Sequence, residues 1–293
     1  MSAPTGSAPP ILFDRALLAR RRAGRPGDDR GAVSLVTAVA EDLADRREAV
    51  LRVFDRILVL GDTGGSLSAR LAIAGPGARL VRAASLATGP DDAGAEVIVD
   101  EEALPFAPAA FDLVASNLVL SGVNDLPGAL IQLRRTLAPD GLLLASLIGG
   151  DTLTELRQAL AEAETALSGG LSPRVAPFPD VRAAASLLQR AGFALPVADV
   201  ERYTVRYDDL FALARDLRAL GATNALAERR RRPDSRALFL KAAEIYADRF
   251  SDPDGRVRAT LEVIHLSGWV PHESQQKPLA PGSAKARLKD ALS

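Results

Sequence analysis

The chain contains no cysteine. Disulfides, thiolate nucleophiles and zinc–sulfur centres are therefore excluded. Only two histidines are present, His265 and His272, which leaves little to build a Ser–His–Asp triad on. No apolar run reaches the roughly 18 residues that mark a membrane-spanning helix. Charge of either sign is not in excess: the formal net charge is −1 over 293 residues. No global field favours nucleic acid, and no nucleic-acid partner is expected. A positively charged start leading into an apolar core is also missing, so no secretory signal is expected. The basic stretch Arg20–Arg25 has Asp14, Asp28 and Asp29 around it, which argues against a transit peptide. With nothing pointing to an oxidising compartment, a cytoplasmic protein is expected.

What remains is an ordinary soluble composition, 47% apolar and 25% charged, in a chain long enough to bury a sizeable core. No internal repeat is found. The start, "MSAPTGSAPP", reads as a frayed tail, and residues 12–30 as a short basic helix and a loop. Residues 34–52 have helical spacing, with Leu35, Val36, Val39, Leu43 and Val50 apolar. Short apolar runs then alternate with helical patterns. Candidate strands are Arg56–Leu60, Ala78–Ala83, Val97–Val99, Leu113–Asn117 and Gly141–Leu147, with helices at Ser66–Ala74 and Pro127–Leu137 between them. "LAPDG" at 137–141 reads as a helix stop and a turn. Continuous apolar strands alternating with helices predict an α/β fold whose parallel sheet is covered on both faces. Any ligand should then lie along the C-terminal edge of the strands.

After residue 150 come helices at Thr152–Leu167, Val181–Ala191, Leu210–Leu220 and Ala237–Phe250, and late strands at Val197–Tyr207 and Arg258–Trp269. The helices between those strands read as a cap that needs no independent core. The division is an N-terminal tail and basic helix at 1–33, the core at 34–207, a helical cap at 208–256, and a final strand and tail at 257–293.

Several stretches carry a resemblance. "LPF", "FDLV", "VNDLPGAL", "LAPDG" and "GDTLTELR" resemble class I S-adenosylmethionine-dependent methyltransferases of the ubiquinone/biotin-synthesis type. "LFDRALLARRRA", "GGLSPRVAPFPD", the run from "LLQRAGFALPVADVERYTVRYDD" through "ALGATNA", and "GWVPHESQQKP" are similar to the arginine-hydroxylase family of mitochondrial complex I assembly factors and its bacterial relatives. These pieces cover most of the chain. The resemblance implies a Rossmann-like class I methyltransferase fold: a seven-stranded, mostly parallel sheet with its last strand antiparallel, plus the helical cap. It also implies S-adenosylmethionine as cofactor and a protein partner among the subunits of a respiratory complex.

The family's cofactor residues map unevenly onto this sequence. An acid usually ends the first strand, followed by a Gly-x-Gly-x-Gly turn whose open backbone and helix-start N–H groups approach the cofactor. The matching positions are Val59, then Gly61, Thr63 and Gly65. Asp62 either substitutes for the missing acid or caps the next helix, as Thr63 also could. The acid that grips the ribose hydroxyls matches Ser85, a weaker partner than a carboxylate, or simply a surface serine. Asp100 and Glu101 match the acidic site beside the adenine; the alternative is a solvated acidic turn. The relatives' His–Trp pair is replaced by Ser121–Gly122. Asn117, at a strand end, is a further polar candidate or a strand cap.

His265 lies in an alternating strand and reads as a sheet residue. It could share an iron with His272 and a carboxylate only if the chain folded back between them, so no metal site is expected. Arg229–Arg232 reads as a solvated helix end, with an acidic partner or a peripheral membrane contact as the alternative. Trp269 reads as a packed strand residue.

The resemblance thus implies a methyltransferase-like enzyme linked to complex I assembly. Its substrate would be a protein, by arginine hydroxylation or methylation, or a quinone-related molecule. No catalytic residue stands out. The departures at Val59, Ser85 and Ser121–Gly122 suit a different reading, a non-catalytic assembly scaffold with a degenerate cleft. Losing two charge-assisted contacts costs ~1.5–3 kcal/mol each, so binding weakened by about a hundredfold or more is expected.

Overall fold

The computed structural model describes residues 11–23, 30–62, 65–74, 77–85 and 97–276. The opening "MSAPTGSAPP", Arg25, Asp28, Asp29, Thr63 and the end of "GWVPHESQQKP" lie outside them. Among the described residues, seven strands form one sheet: β1 (Arg56–Leu60), β2 (Arg79–Ser85), β3 (Val97–Val99), β4 (Phe111–Asn117), β5 (Leu137–Ile148), β6 (Ala194–Tyr207) and β7 (Val257–Trp269). Their order is β3-β2-β1-β4-β5-β7-β6. The strands β1 to β5 are parallel where they pair. β7 is antiparallel to both of its neighbours, so β6 runs with the rest. The sheet is the expected one. The helices are α1 (Arg15–Ala23), α2 (Arg30–Glu48), α3 (Ser66–Ala74), α4 (Leu126–Thr136), α5 (Thr154–Ser168), α6 (Val181–Arg190), α7 (Leu210–Ala219) and α8 (Arg236–Phe250).

The strand sequences follow from burial on both faces. Every residue of β4 is buried, as is β1 after Arg56, so neither strand alternates in polarity. Successive side chains serve opposite layers. Leu58, Leu60 and Val114 pack with Leu130 of α4 and Leu188 of α6. Ile57, Val59 and Ala115 pack with Leu43 of α2 and Leu67 and Leu71 of α3. Polar side chains start the later helices: Asp125, Asp180, Asp209 and Ser235 each accept from the N–H three residues ahead.

Two local readings change. The turn at "LAPDG" is absorbed into β5, which begins at Leu137 with a register shift opposite Phe111–Leu113 and Asp140 at φ 60. It is a bulge inside a strand rather than a break before one. The helices between β6 and β7 pack in an apolar cluster that they share with α5 and β7. Leu160 of α5, Leu213 of α7 and Leu238 and Tyr246 of α8 close on Val257 and Ala259 of β7. The sheet's last strand completes that cluster.

Strand order reverses between β1 and β4. That switch point opens a crevice at the strand C-termini, where ligands bind in open α/β sheets.

Candidate functional site

A cavity of about 220 Å³ lies at this switch point. Its floor includes Gly61 after β1, Asn117 and Leu118 at the end of β4, and Ile148 at the end of β5. Phe13, Leu18 and Arg22 line it together with Ala225 and Leu226, which pack against them, and Phe178 is also in the lining. The lining is mainly apolar, with Asn117, Ser121, Arg174 and Asn224 as polar points.

Gly61 and Gly65 both have positive φ, 73 and 75. A β-carbon on Gly61 would lie 2.2 Å from Val119 Cγ1 and 2.7 Å from the Asn117 carbonyl oxygen. The turn therefore needs glycine for its own path. Asp62 is 1% exposed. Its two carboxylate oxygens accept from the N–H groups of Leu67 (3.0 Å) and Ser68 (2.9 Å) at the start of α3. Arg82 Nε lies 3.6 Å away. The carboxylate thus caps α3, engaging helix-start donors that would otherwise face a ligand. Val59 is fully buried between β1, α2 and α3. An acid at that position would enter an apolar cluster.

Ser85 ends β2, paired with Val99; its side chain lies outside the described residues. Asp100 and Glu101 follow β3 as expected, but both are engaged. Arg15 of α1 donates to Asp100 (2.7 Å), Glu101 (2.7 Å) and Glu102 (3.0 Å). Glu102 also accepts from Asn124 and Asp125 N–H, and Asn124 Oδ1 accepts from Leu12 and Phe13 N–H (2.8 and 2.7 Å). "FDR", "DEE" and "VND" therefore meet in one knot that ties the N-terminal segment to the core. On its other side that segment bonds to the cap: Asp14 N–H donates to the Ala225 carbonyl at 2.8 Å, and Arg229 pairs with Asp14 at 3.0 Å. Arg229 of the basic run is thus part of this strap, while Arg230, Arg231 and Arg232 are exposed.

Asn117 is 2% exposed. Its Oδ1 accepts from Ser146 Oγ (3.0 Å) and its Nδ2 donates to the Val36 carbonyl (3.3 Å), which ties β4 to β5 and α2. At Gly122 a β-carbon would lie 2.7 Å from Leu18 Cδ2. Helix α1 packs directly on this glycine. Ser121 Oγ accepts from Ile148 N–H at 2.9 Å.

Sequence reasoning did not single out Arg15 or Arg174. Arg174, on the cavity wall, binds Glu164 of α5 and Asp234 ahead of α8. The Arg174 guanidinium holds the Glu164 carboxyl down at about 2. His265 is brought together with Asp42 and Glu201, whereas His272 is exposed and bonds to Ser274. Trp269 stacks on Phe54, with ring centroids 6.5 Å apart. Among the described residues no helix is long and apolar enough to cross a membrane.

A family profile described as a methyltransferase domain matches residues 77–145. The mitochondrial arginine-hydroxylase NDUFAF5 of Mus musculus is 36% identical, with 99% of this chain and 89% of that protein covered. The Dictyostelium discoideum protein of the same name is 44% identical over 62% of this chain, but the match spans only 42% of its length. A malonyl-[acyl-carrier protein] O-methyltransferase of Xylella fastidiosa is 42% identical over 59% of this chain and 56% of its own. In fold, the chain is similar to a putative methyltransferase of Bacillus halodurans (TM-score 0.51, 16% identity, 79% of this chain and 100% of that one). It is also similar to the YcgJ protein of Bacillus subtilis (TM-score 0.52, 13% identity, 80% and 99%). The cytoplasmic expectation does not stand, because the NDUFAF5 relatives are mitochondrial by name. The strand order, the glycine turn at the switch point and a relative matched over nearly its whole length agree: the chain belongs to the NDUFAF5 family within the class I S-adenosylmethionine-dependent methyltransferase superfamily.

Proposed function

We propose that this chain binds S-adenosylmethionine in the cavity over β1, β4 and β5 and hydroxylates an arginine of a partner protein, a subunit of respiratory complex I, inserting one atom of molecular oxygen while an external two-electron reductant carries the other atom to water. The observation that carries the reading is Gly61. Its bare backbone lies on the cavity floor at the switch point, where a ligand can approach main-chain atoms directly. The activity is taken from the name of relatives matched at 36% identity over most of their length. The residues fit the cofactor in part. The turn, the cavity and Asn117 suit its amino-acid end, while Val59 supplies no acid and Asp62 faces α3. Asp100 and Glu101 suit the adenine end once Arg15 moves. Affinity in the high-micromolar range follows from the missing charge-assisted contacts.

The scaffold reading has its own specific support, since Arg15 and α3 engage the acids that a cofactor would use. Calorimetric titration with S-adenosylmethionine separates the two. Saturable heat below millimolar ligand is expected, and none up to several millimolar leaves the scaffold. Mass spectrometry of complex I subunits from cells lacking the protein tests the chemistry. One arginyl peptide should lose the mass of one oxygen; unchanged peptides would remove the hydroxylase assignment.

A further inference from the structure

A second constellation sits away from the cavity, on the face of the sheet covered by α2. His265 lies in β7, paired with Ser146 of β5 on one side and Asp199 of β6 on the other. Ser146 in turn pairs with Asn117. His265 is thus two strands from the cavity floor, about 10 Å. Its side chain is 1% exposed. Among the described residues, neither ring nitrogen makes a hydrogen bond. A buried imidazole without a well-aligned hydrogen bond is costly, and a bound ion would satisfy it.

Two carboxylates converge on it. His265 Nε2 lies 3.1 Å from Asp42 Oδ2 on α2 and 3.9 Å from Glu201 Oε2 on β6. One donor atom from each of the three residues lies within 4.8 Å of the other two. Ligands about 2.0–2.2 Å from a tetrahedral ion stand about 3.3 Å from one another. The two distances to Nε2 straddle that value; Asp42 Oδ2 also accepts from Arg46 Nε at 2.7 Å, so an ion would share or displace that contact.

The charges point the same way. The charged groups beside the His265 ring include Asp42, Asp199, Glu201 and Arg46. Arg46 bonds Asp42 at 2.7 Å and Asp199 at 2.5 Å, which leaves the group with an excess of negative charge. A cavity of about 100 Å³ adjoins His265, Asp199 and Arg46 on the side away from Asp42 and Glu201, among Val50, Leu142 and Leu144. Asp42 and Glu201 are partly exposed, at 28% and 44%, so an ion can enter from solvent.

We propose that Asp42, Glu201 and His265 form a binding site for a divalent ion of the zinc class, with water completing the coordination. One imidazole and two carboxylates are a borderline donor set that suits such an ion. The ion fastens α2, whose Val36 lines the cavity, to β6 and β7.

The test is equilibrium dialysis of the full chain against Zn²⁺, with metal content measured per chain. The wild type should hold one ion per chain. Glu201→Gln, a neutral near-isostere at a half-exposed position, should weaken binding at least about tenfold, and His265→Asn should abolish it. His272→Gln should leave it unchanged. Co²⁺ loaded in place of Zn²⁺ should give the visible spectrum of a four-coordinate site in the wild type and lose it in Glu201→Gln. Should His265→Asn fail to fold, Glu201→Gln and Asp42→Asn carry the test. No binding by the wild type, or equal binding by wild type and Glu201→Gln, overturns the proposal.

Discussion

Gly61 stands where chain path and ligand access coincide. Its φ of 73 and the contacts a β-carbon would make at 2.2 and 2.7 Å leave alanine no room. Gly61→Ala is expected to destabilise by about 2 kcal/mol or more, seen as a lower urea midpoint at unchanged slope. S-adenosylmethionine binding should be lost even in protein that folds. The glycine positions were legible in the sequence as a glycine-rich turn between a strand and a helix. Where the neighbouring acids point was less so. Asp62 is aimed by the N–H groups of residues 67 and 68. Asp100 and Glu101 are claimed by an arginine some 85 residues earlier. Side-chain direction of that kind depends on tertiary contacts, which a linear pattern does not encode. The same holds for Asp42, Glu201 and His265, whose meeting requires α2, β6 and β7 to be in place.

Among the elements, the strands of the first half were the most legible, since burial on both faces leaves an unbroken apolar run. The N-terminal helix was legible as a basic helix but not as a strap. Arg15 holds it to three carboxylates, and Asp14 holds it to the cap. Arg15→Gln should loosen it. Amide exchange across residues 12–23 is expected to speed up by about tenfold or more, with little change in β1 or β4. A second clamp joins α5 to the cap through Glu164, Arg174 and Asp234. Glu164 titrates at about 2 instead of its ordinary 4.5. Between those values the folded state binds fewer protons than the unfolded one. The clamp's stabilisation is therefore complete above pH 4.5 and falls away as pH drops toward 2. Denaturation at pH 5 and pH 3 should show a larger loss for the wild type than for Arg174→Leu, in which the glutamate has no such partner.

For the molecule as a whole, the cap and the sheet share a strand. Val257 and Ala259 of β7 complete the cap's apolar cluster, while Trp269 at the other end of β7 stacks on Phe54 beneath the sheet. Unfolding should therefore be one cooperative event. Trp269 fluorescence, which reports the sheet, and far-UV circular dichroism, to which the cap helices contribute strongly, should give coincident urea transitions. A helical signal lost before the fluorescence would mean that the cap opens alone.

The strap that forms one wall of the cavity also sets a clock. A ligand the size of a nucleoside has to pass α1 or displace it, and α1 is held at its N-terminal end by ion pairs and a backbone bond and, further along, by Arg21 donating to the Asn224 carbonyl. Entry and exit are then governed by how often the strap lets go, not by diffusion to an open cleft. Association should be slow and little affected by viscosity. A ligand once seated beneath the closed strap would leave more slowly than its modest affinity suggests.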